Sequence, residues 1–369
     1  MNLNFKFLHL ALALFTILPL AACNNQSNNT LKNSAPENSI SLVAVGDIML
    51  GGTAEEVLIE NGYDYPFKQV RHLLDNADIV IGNLEGPLTD QCESPLEDKE
   101  YVFRSPPAAV SPALRSAGFN LMNLANNHIL DFGIEGLTDT IDSLNKQQIK
   151  TVGTGKNLDE ARTGTIYNTA NGSVGFLSYS LTFPESFWAT DTKAGTAFGH
   201  EAQIREDVRR LDAQADYVIV SFHWGREKSF ALRPYQPVLA HAAIDVGADI
   251  VLGHHPHVLQ AIEEYKDGLI IYSLGNFVFG SYSTAARTSV VARLTLHNGG
   301  YHSAEFSPIN VLNAEVIFQP QPLHGDAASE VIQQINQLSK THNTQLTQTN
   351  DKGFLHSRSN KIQSFTLNN

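Results

Sequence analysis

An α/β fold is what this chain of 369 residues predicts, and three features of the sequence carry that expectation. From Ile40 onward, β-type apolar runs alternate with segments of 3.6-residue apolar spacing, as strands and helices do when they take turns. Several of the apolar runs finish on residues of metal-binding type: Asp47 after SLVAVG, Glu85 after IVIGNL, Asn127-His128 after LMNLAN, His223 after VIVSF and His255-Pro256-His257 after DIVLGH. Strand ends of this kind converge on one rim of an open α/β sheet, where such sheets hold ligands. The runs at 172–180 and 288–296 show β patterning without an intervening helix, which reads as antiparallel edge strands.

Taken in order, the chain opens with an address. Lys6 gives a weakly positive start, LHLALALFTILPL is too short to span a bilayer comfortably, and Leu20-Ala21-Ala22-Cys23 reads as a small-residue cleavage site. Residues 1–22 are therefore expected to be a lipoprotein signal peptide with Cys23 acylated, against the alternatives of an ordinary signal peptide or a short anchor. Multiple acyl chains on one cysteine satisfy the requirement for stable anchoring. Residues 23–39, polar and rich in Asn and Ser, read as a tether without core-forming residues. The expected location is an extracytoplasmic membrane face, and in a Gram-negative host Asn24 after the cysteine points to the outer membrane.

The main domain is expected over 40–320, with helices near 66–75, 107–117, 134–147, 201–213 and 235–246. Beyond it, residues 321–369 shift to Gln, Asn, Ser and Thr, with one amphipathic helix near 326–340 and a last stretch of twenty residues that reads as loosely ordered. No internal repeat is present.

Composition bounds the partners. A formal charge of −13 argues against nucleic acid and disfavours non-specific attraction of a polyanion. An anionic polymer would be held by a metal and by local cations such as Arg104, Arg226 or Arg233. Two cysteines leave no room for a disulfide framework, and Cys92 sits in a polar loop without a partner motif.

The chemistry of the run-ending residues is that of a metal centre. A hard or borderline divalent ion takes carboxylate and amide oxygen and imidazole nitrogen, and two ions about 3.5–4 Å apart need a bridging carboxylate. Asp47 and Glu85 offer the bridge, Asn127 an amide oxygen, and His223, His255 and His257 neutral imidazoles. His128 is then left to give a proton to a leaving group. Each residue alone has a plainer reading: Asp47 as a helix N-cap, the asparagines as a turn pair, a single histidine as a satisfied core residue. The constellation across the runs is what favours metal. Glu227 reads as a partner of the metal shell, a general base or a solvated carboxylate. Arg104, in YVFRSP, reads either as a bidentate clamp for a carboxylate or phosphate or as a surface arginine.

The segments VAVGDIMLGG, DIVIGNLEGPLT, FNLMNLANNHILDFG, VSFHWGREKS, ADIVLGHHPHVLQ and IIYSLGNFVFG, in this order and spacing, resemble the CapA family of poly-γ-glutamate capsule proteins, from about Ile40 to about Asn313. CapA-like domains in turn resemble calcineurin-like metallophosphoesterases. The resemblance implies a four-layer α/β/β/α sandwich, one or two divalent ions (Mn, Fe, Zn or Co), and metal roles at Asp47, Glu85, Asn127, His223, His255 and His257. Two positions depart from that pattern: Met49 stands where the Asp-x-His histidine belongs, and Glu85 lies two residues after the Gly-Asp position occupied here by Gly82-Asn83.

The function expected is capsule polymer biosynthesis or export by a lipid-anchored protein with a hydrolase-like site, working with membrane components of a synthesis complex. Two alternatives stay open: a free-standing metal-dependent phosphoesterase or amidohydrolase acting on a small phosphoester or amide, and a non-catalytic polymer-binding module.

Overall fold

The structure is a computed structural model that describes Met1 and residues 35–94 and 99–358. Apart from Met1, the residues expected to form a signal peptide, together with Cys23 and the expected tether as far as Ser34, lie outside the described residues. The fold occupies the compact unit that begins at Pro36.

Two sheets face each other. In the larger one the strand order is Thr347–Thr349, Lys352–His356, Tyr301–Asn310, Thr288–Leu296, Ile40–Ile48, Ile79–Leu84, Leu121–Asn123 and Lys150–Val152, with Asn276–Val278 also paired to Ile40–Ile48. The strands from Ile40–Ile48 to Lys150–Val152 run parallel, and the other half is antiparallel. The second sheet runs Ile262–Tyr265, Gly268–Ile271, Ile250–His254, Tyr217–His223, Gly172–Ser180 and Thr165–Thr169.

Alternation along each strand divides its side chains between two cores. Leu42, Ala44, Ile79, Ile81 and Leu121 of the first sheet meet Val174, Phe176, Ile219, Ile250 and Leu252 of the second in a core between the sheets. Val43, Val45, Val80 and Met122 point the other way, onto the helices Pro107–Ala117 and Gly133–Lys146. Leu177, Tyr179, Val218, Val220 and Val251 do the same against Glu201–Asp212 and Tyr235–Ile244. The result is a four-layer α/β/β/α sandwich.

Three local expectations need correction. Gly172–Ser180 and Thr288–Leu296 are strands, but neither is an edge: each has a hydrogen-bonded neighbour on both sides. Patterning reports which faces are buried and is blind to how many neighbours the backbone pairs with. The helix expected at 66–75 is a 3-10 turn, Tyr65–Phe67, and a single α-turn, Arg71–Leu74. Its buried anchors, Phe67, Val70 and Leu74, are three and four residues apart, and separate turns satisfy that spacing as well as one helix does. Finally, the described part of the last twenty residues is not loose: Lys352–His356 pairs with Tyr301–Asn310 and buries Leu355, while the helix Gly325–Ser339 sets Val331, Ile332 and Ile335 into the core between the sheets; residues 359–369 lie outside the described residues.

A glycine sets the approach to the rim. A Cβ at Gly46 would stand 1.9 Å from the carbonyl oxygen of Gly275, a backbone atom with no freedom to move aside. Gly46→Ala must therefore displace the strand end that carries Asp47. We expect a loss of about 1–3 kcal/mol in urea unfolding, together with a lower bound-metal content than wild type.

Candidate metal centre

The inward-facing apolar residues give way to polar ones at the carboxyl ends of the strands. Ile81 is followed two residues later by Asn83, Leu121 by Asn123, and Ile219, two steps further on, by His223. All of these keep the same face, as period-two geometry requires. Asp47 joins them through a shift of register between Ala44 and Asp47, an irregularity of the kind that re-aims a side chain. Register then aligns Asn276, Asp47, Asn83 and Asn123 across the first sheet, and Ser180, His223 and His254 across the second.

Asn83 ties the row together. Its Nδ2 donates to Asp47 Oδ1 at 2.8 Å and lies 3.3 Å from both Glu85 Oε2 and His223 Nδ1, while its Oδ1 accepts from Asn123 and Asn126 at 3.1 and 3.2 Å. On the far side of the His223 ring, Nε2 lies 2.7 Å from Asn127 Oδ1 and 3.7 Å from Glu85 Oε1. His257 Nδ1 is 2.9 Å from Asn276 Oδ1 and 3.1 Å from Asp47 Oδ2, and its Nε2 is 3.7 Å from Glu85 Oε1.

Two sets of ligand-type atoms, each within 4.8 Å of one another, emerge: Asp47, Glu85 and His223, and Glu85, His255 and His257. Glu85 belongs to both, which is the place of a bridging carboxylate. These donors fit divalent cations. Glu85 Oε1 and His255 Nδ1 are buried without a hydrogen-bond partner among the described residues, a costly arrangement that a cation relieves. Without an ion, the crowded buried groups shift one another's protonation. Burial pushes Glu85 well above the usual carboxylate value; burial and the neighbouring His257 push His255 down to about 3. Burial also lowers His257, but Glu85 and Asp47 outweigh it and hold the imidazole at about 9. For Asp47, burial acts upward, and His254 and His257 overcome it to keep the carboxylate well below its ordinary range.

The profile of the family described as bacterial capsule synthesis protein PGA_cap matches residues 41–281. The chain belongs to that family. It is 33% identical over 317 residues to the capsule biosynthesis protein CapA of Bacillus anthracis, covering 84% of this chain and 77% of that one. The PGA biosynthesis protein CapA of Bacillus subtilis is 34% identical over 295 residues, covering 80% and 76%. Among solved structures, the calcineurin-like phosphoesterase YfkN from Bacillus subtilis aligns with 81% of this chain and 97% of its own at 16% identity and a TM-score of 0.43, a likeness that says nothing of activity.

In this PGA_cap chain the His-Pro-His segment is not the extended run that equal spacing implies. His255 and His257 have φ of +89° and +57°, left-handed values that cost a non-glycine residue about 1–3 kcal/mol each. Their rings converge through a strained bend, with the His255 N–H held by Asp47 Oδ2 at 3.2 Å. Strain of this kind persists where the surroundings over-determine it, as at ligand sites.

His128 stands beside the cluster and outside both ligand sets. Its Nδ1 is 2.7 Å from Asp131 Oδ2, and the Phe103 ring covers it at 4.4 Å. Asp131 is fully buried and also takes the Phe103 N–H at 2.8 Å and the Lys99 ammonium. Burial holds the His128 pKa below its ordinary value against the pull of Asp131. A cavity of about 440 Å³ opens next to it, lined by Tyr101, Phe103, His128, Glu227, Lys228, His257, Phe279 and the segment from Gly280 to Ser283. Glu227 is thus at the exposed wall of that cavity. Arg104 is not among its lining residues; its guanidinium packs 6.0 Å from the Phe132 ring.

Sequence reading missed several participants. Asn83, Asn126, Asp131, Lys99 and His254 all touch the site, and Asn276 orients His257. The spacing His128-x-x-Asp131 was a usable signal. Lys99 had none, because it arrives from a loop remote in sequence.

Proposed function

We propose that this protein acts in capsule polymer assembly outside the cytoplasm, lipid-anchored through Cys23, with a metal-dependent hydrolase-type site at the rim of the sandwich. The observation that supports it most is Glu85 shared between two ligand sets, with Asn127 and His128 alongside. Asp47, Glu85, Asn127, His223, His255 and His257 would hold one or two divalent ions. When bound, such ions supply a Lewis acid and lower the pKa of water at the site.

The chain's own residues do the rest. The Asn83 carboxamide fixes Asp47, and Asn276 fixes His257 through its outer ring nitrogen, the kind of support that sets ligand orientation. Asp131 holds the His128 ring so that the other nitrogen is available to a leaving group. The cavity admits substrate beside His128 and His257, and Tyr101 and Tyr282 stand exposed at its wall. The relatives named for capsule and PGA biosynthesis support the cellular role. An assay of the metal-loaded protein on phosphomonoesters and on γ-glutamyl amides tests the reading: metal-dependent turnover of either supports it, and metal binding without turnover of any ester or amide would favour a polymer-binding module.

The anchoring proposal has its own test. Among the described residues no helix is long and apolar enough to cross a membrane. If Cys23 carries the anchor, Cys23→Ser should move the protein from the detergent-extracted membrane fraction to the soluble one. Equal membrane retention of the variant would reject lipidation.

A further inference from the structure

The resemblance to metallophosphoesterases leaves one imidazole unaccounted for, and resting on the metal reading above, the structure points to where it went. Two residues after Asp47, Met49 is buried and its sulfur takes the Gly51 backbone N–H at 3.3 Å. A thioether so engaged is a poor donor for a hard or borderline ion.

On the facing sheet, His254 ends the strand Ile250–His254 directly opposite His223 in register, so both rings leave the same face. His254 is 1% exposed, and neither ring nitrogen makes a hydrogen bond among the described residues. Burying such nitrogens without a hydrogen bond is costly. Its Nδ1 stands 3.4 Å from Asp47 Oδ1. Two donors on one ion, each bonded at about 2.0–2.2 Å, are separated by roughly 3–3.5 Å in a tetrahedral or octahedral shell. The spacing of this one pair is that of neighbouring ligands, although His254 belongs to neither of the three-residue sets.

We propose that His254 is the ligand that replaces the absent Asp-x-His histidine, reaching the ion at Asp47 from the opposite sheet. The centre then has four imidazoles, His223, His254, His255 and His257, and Met49 serves the turn.

Cobalt(II) is the probe. Full-length protein in detergent, loaded with Co²⁺, should bind two ions and show four paramagnetically shifted imidazole N–H signals in proton NMR. His254→Gln should weaken one of the two ions at least tenfold and delete one signal, and Met49→His in the His254→Gln background should restore both. Three shifted signals in wild type, or two ions held with unchanged affinity by His254→Gln, would overturn the inference while leaving the metal reading intact. A wild type that takes up no Co²⁺ would overturn both. The wild-type signal count decides the matter even where a variant fails to fold.

Discussion

Replacing His255 and His257 together by Ala should lower bound metal and the melting temperature in the same step. Both imidazoles share a ligand set with Glu85, and His257 also neighbours Asp47. An ion that binds only the folded state stabilises it by mass action, about 2.7 kcal/mol at a free concentration one hundred times Kd. The double variant should therefore melt below metal-loaded wild type, toward chelator-treated wild type, and added metal should raise the melting temperature of wild type by more than that of the variant. The strained backbone sharpens the comparison. Alanine at φ of +89° and +57° keeps the strain without the ligands, so that cost stays in the variant. Unchanged metal content by elemental analysis would dismiss these histidines as ligands.

His128→Ala separates binding from chemistry. The ring lies outside both ligand sets and is held by Asp131 and Phe103, so bound metal should stay nearly intact. If the site hydrolyses esters, turnover of an alkyl phosphate ester, whose poor leaving group needs a proton, should fall by about 10²–10⁴, the usual size of a general-acid contribution. For an activated aryl ester the loss should be smaller. Equal losses on both esters, or loss of metal, would reject the proton-donor role. Asp131→Asn should show the same pattern at reduced amplitude, since it loosens the ring and leaves it in place.

What was legible in the sequence follows the physics of strands. Runs such as IVIGNL and VIVSF are buried on both faces, and a polar residue at the end of such a run has few explanations besides a site; that is why Asp47, Glu85, His223 and the His-Pro-His segment were readable. The sandwich was readable too, because alternating strands and helices with buried runs leave few architectures. Cross-strand relations were not. Asn83 looked like a departure from a motif, yet it is the hub of the hydrogen-bond network, a role visible only once Asp47, Glu85 and His223 are brought around it. His254 was hidden by its neighbours: next to His255-Pro256-His257 it reads as one more residue of the motif, and only register shows that its ring leaves the face that His223 shares. The conformation of His255 was illegible for a different reason. Equal spacing implies extended backbone, and nothing in the residue types announces a left-handed bend.

The central claim is that this PGA_cap rim is a metal centre bridged by Glu85, and elemental analysis of the purified full-length protein tests it most directly. After exposure to Mn, Fe, Zn or Co and removal of free ions, one or two divalent ions per chain should remain in wild type and be lost in Glu85→Ala. A wild type that retains none, or a Glu85→Ala variant that retains as many, would contradict the account.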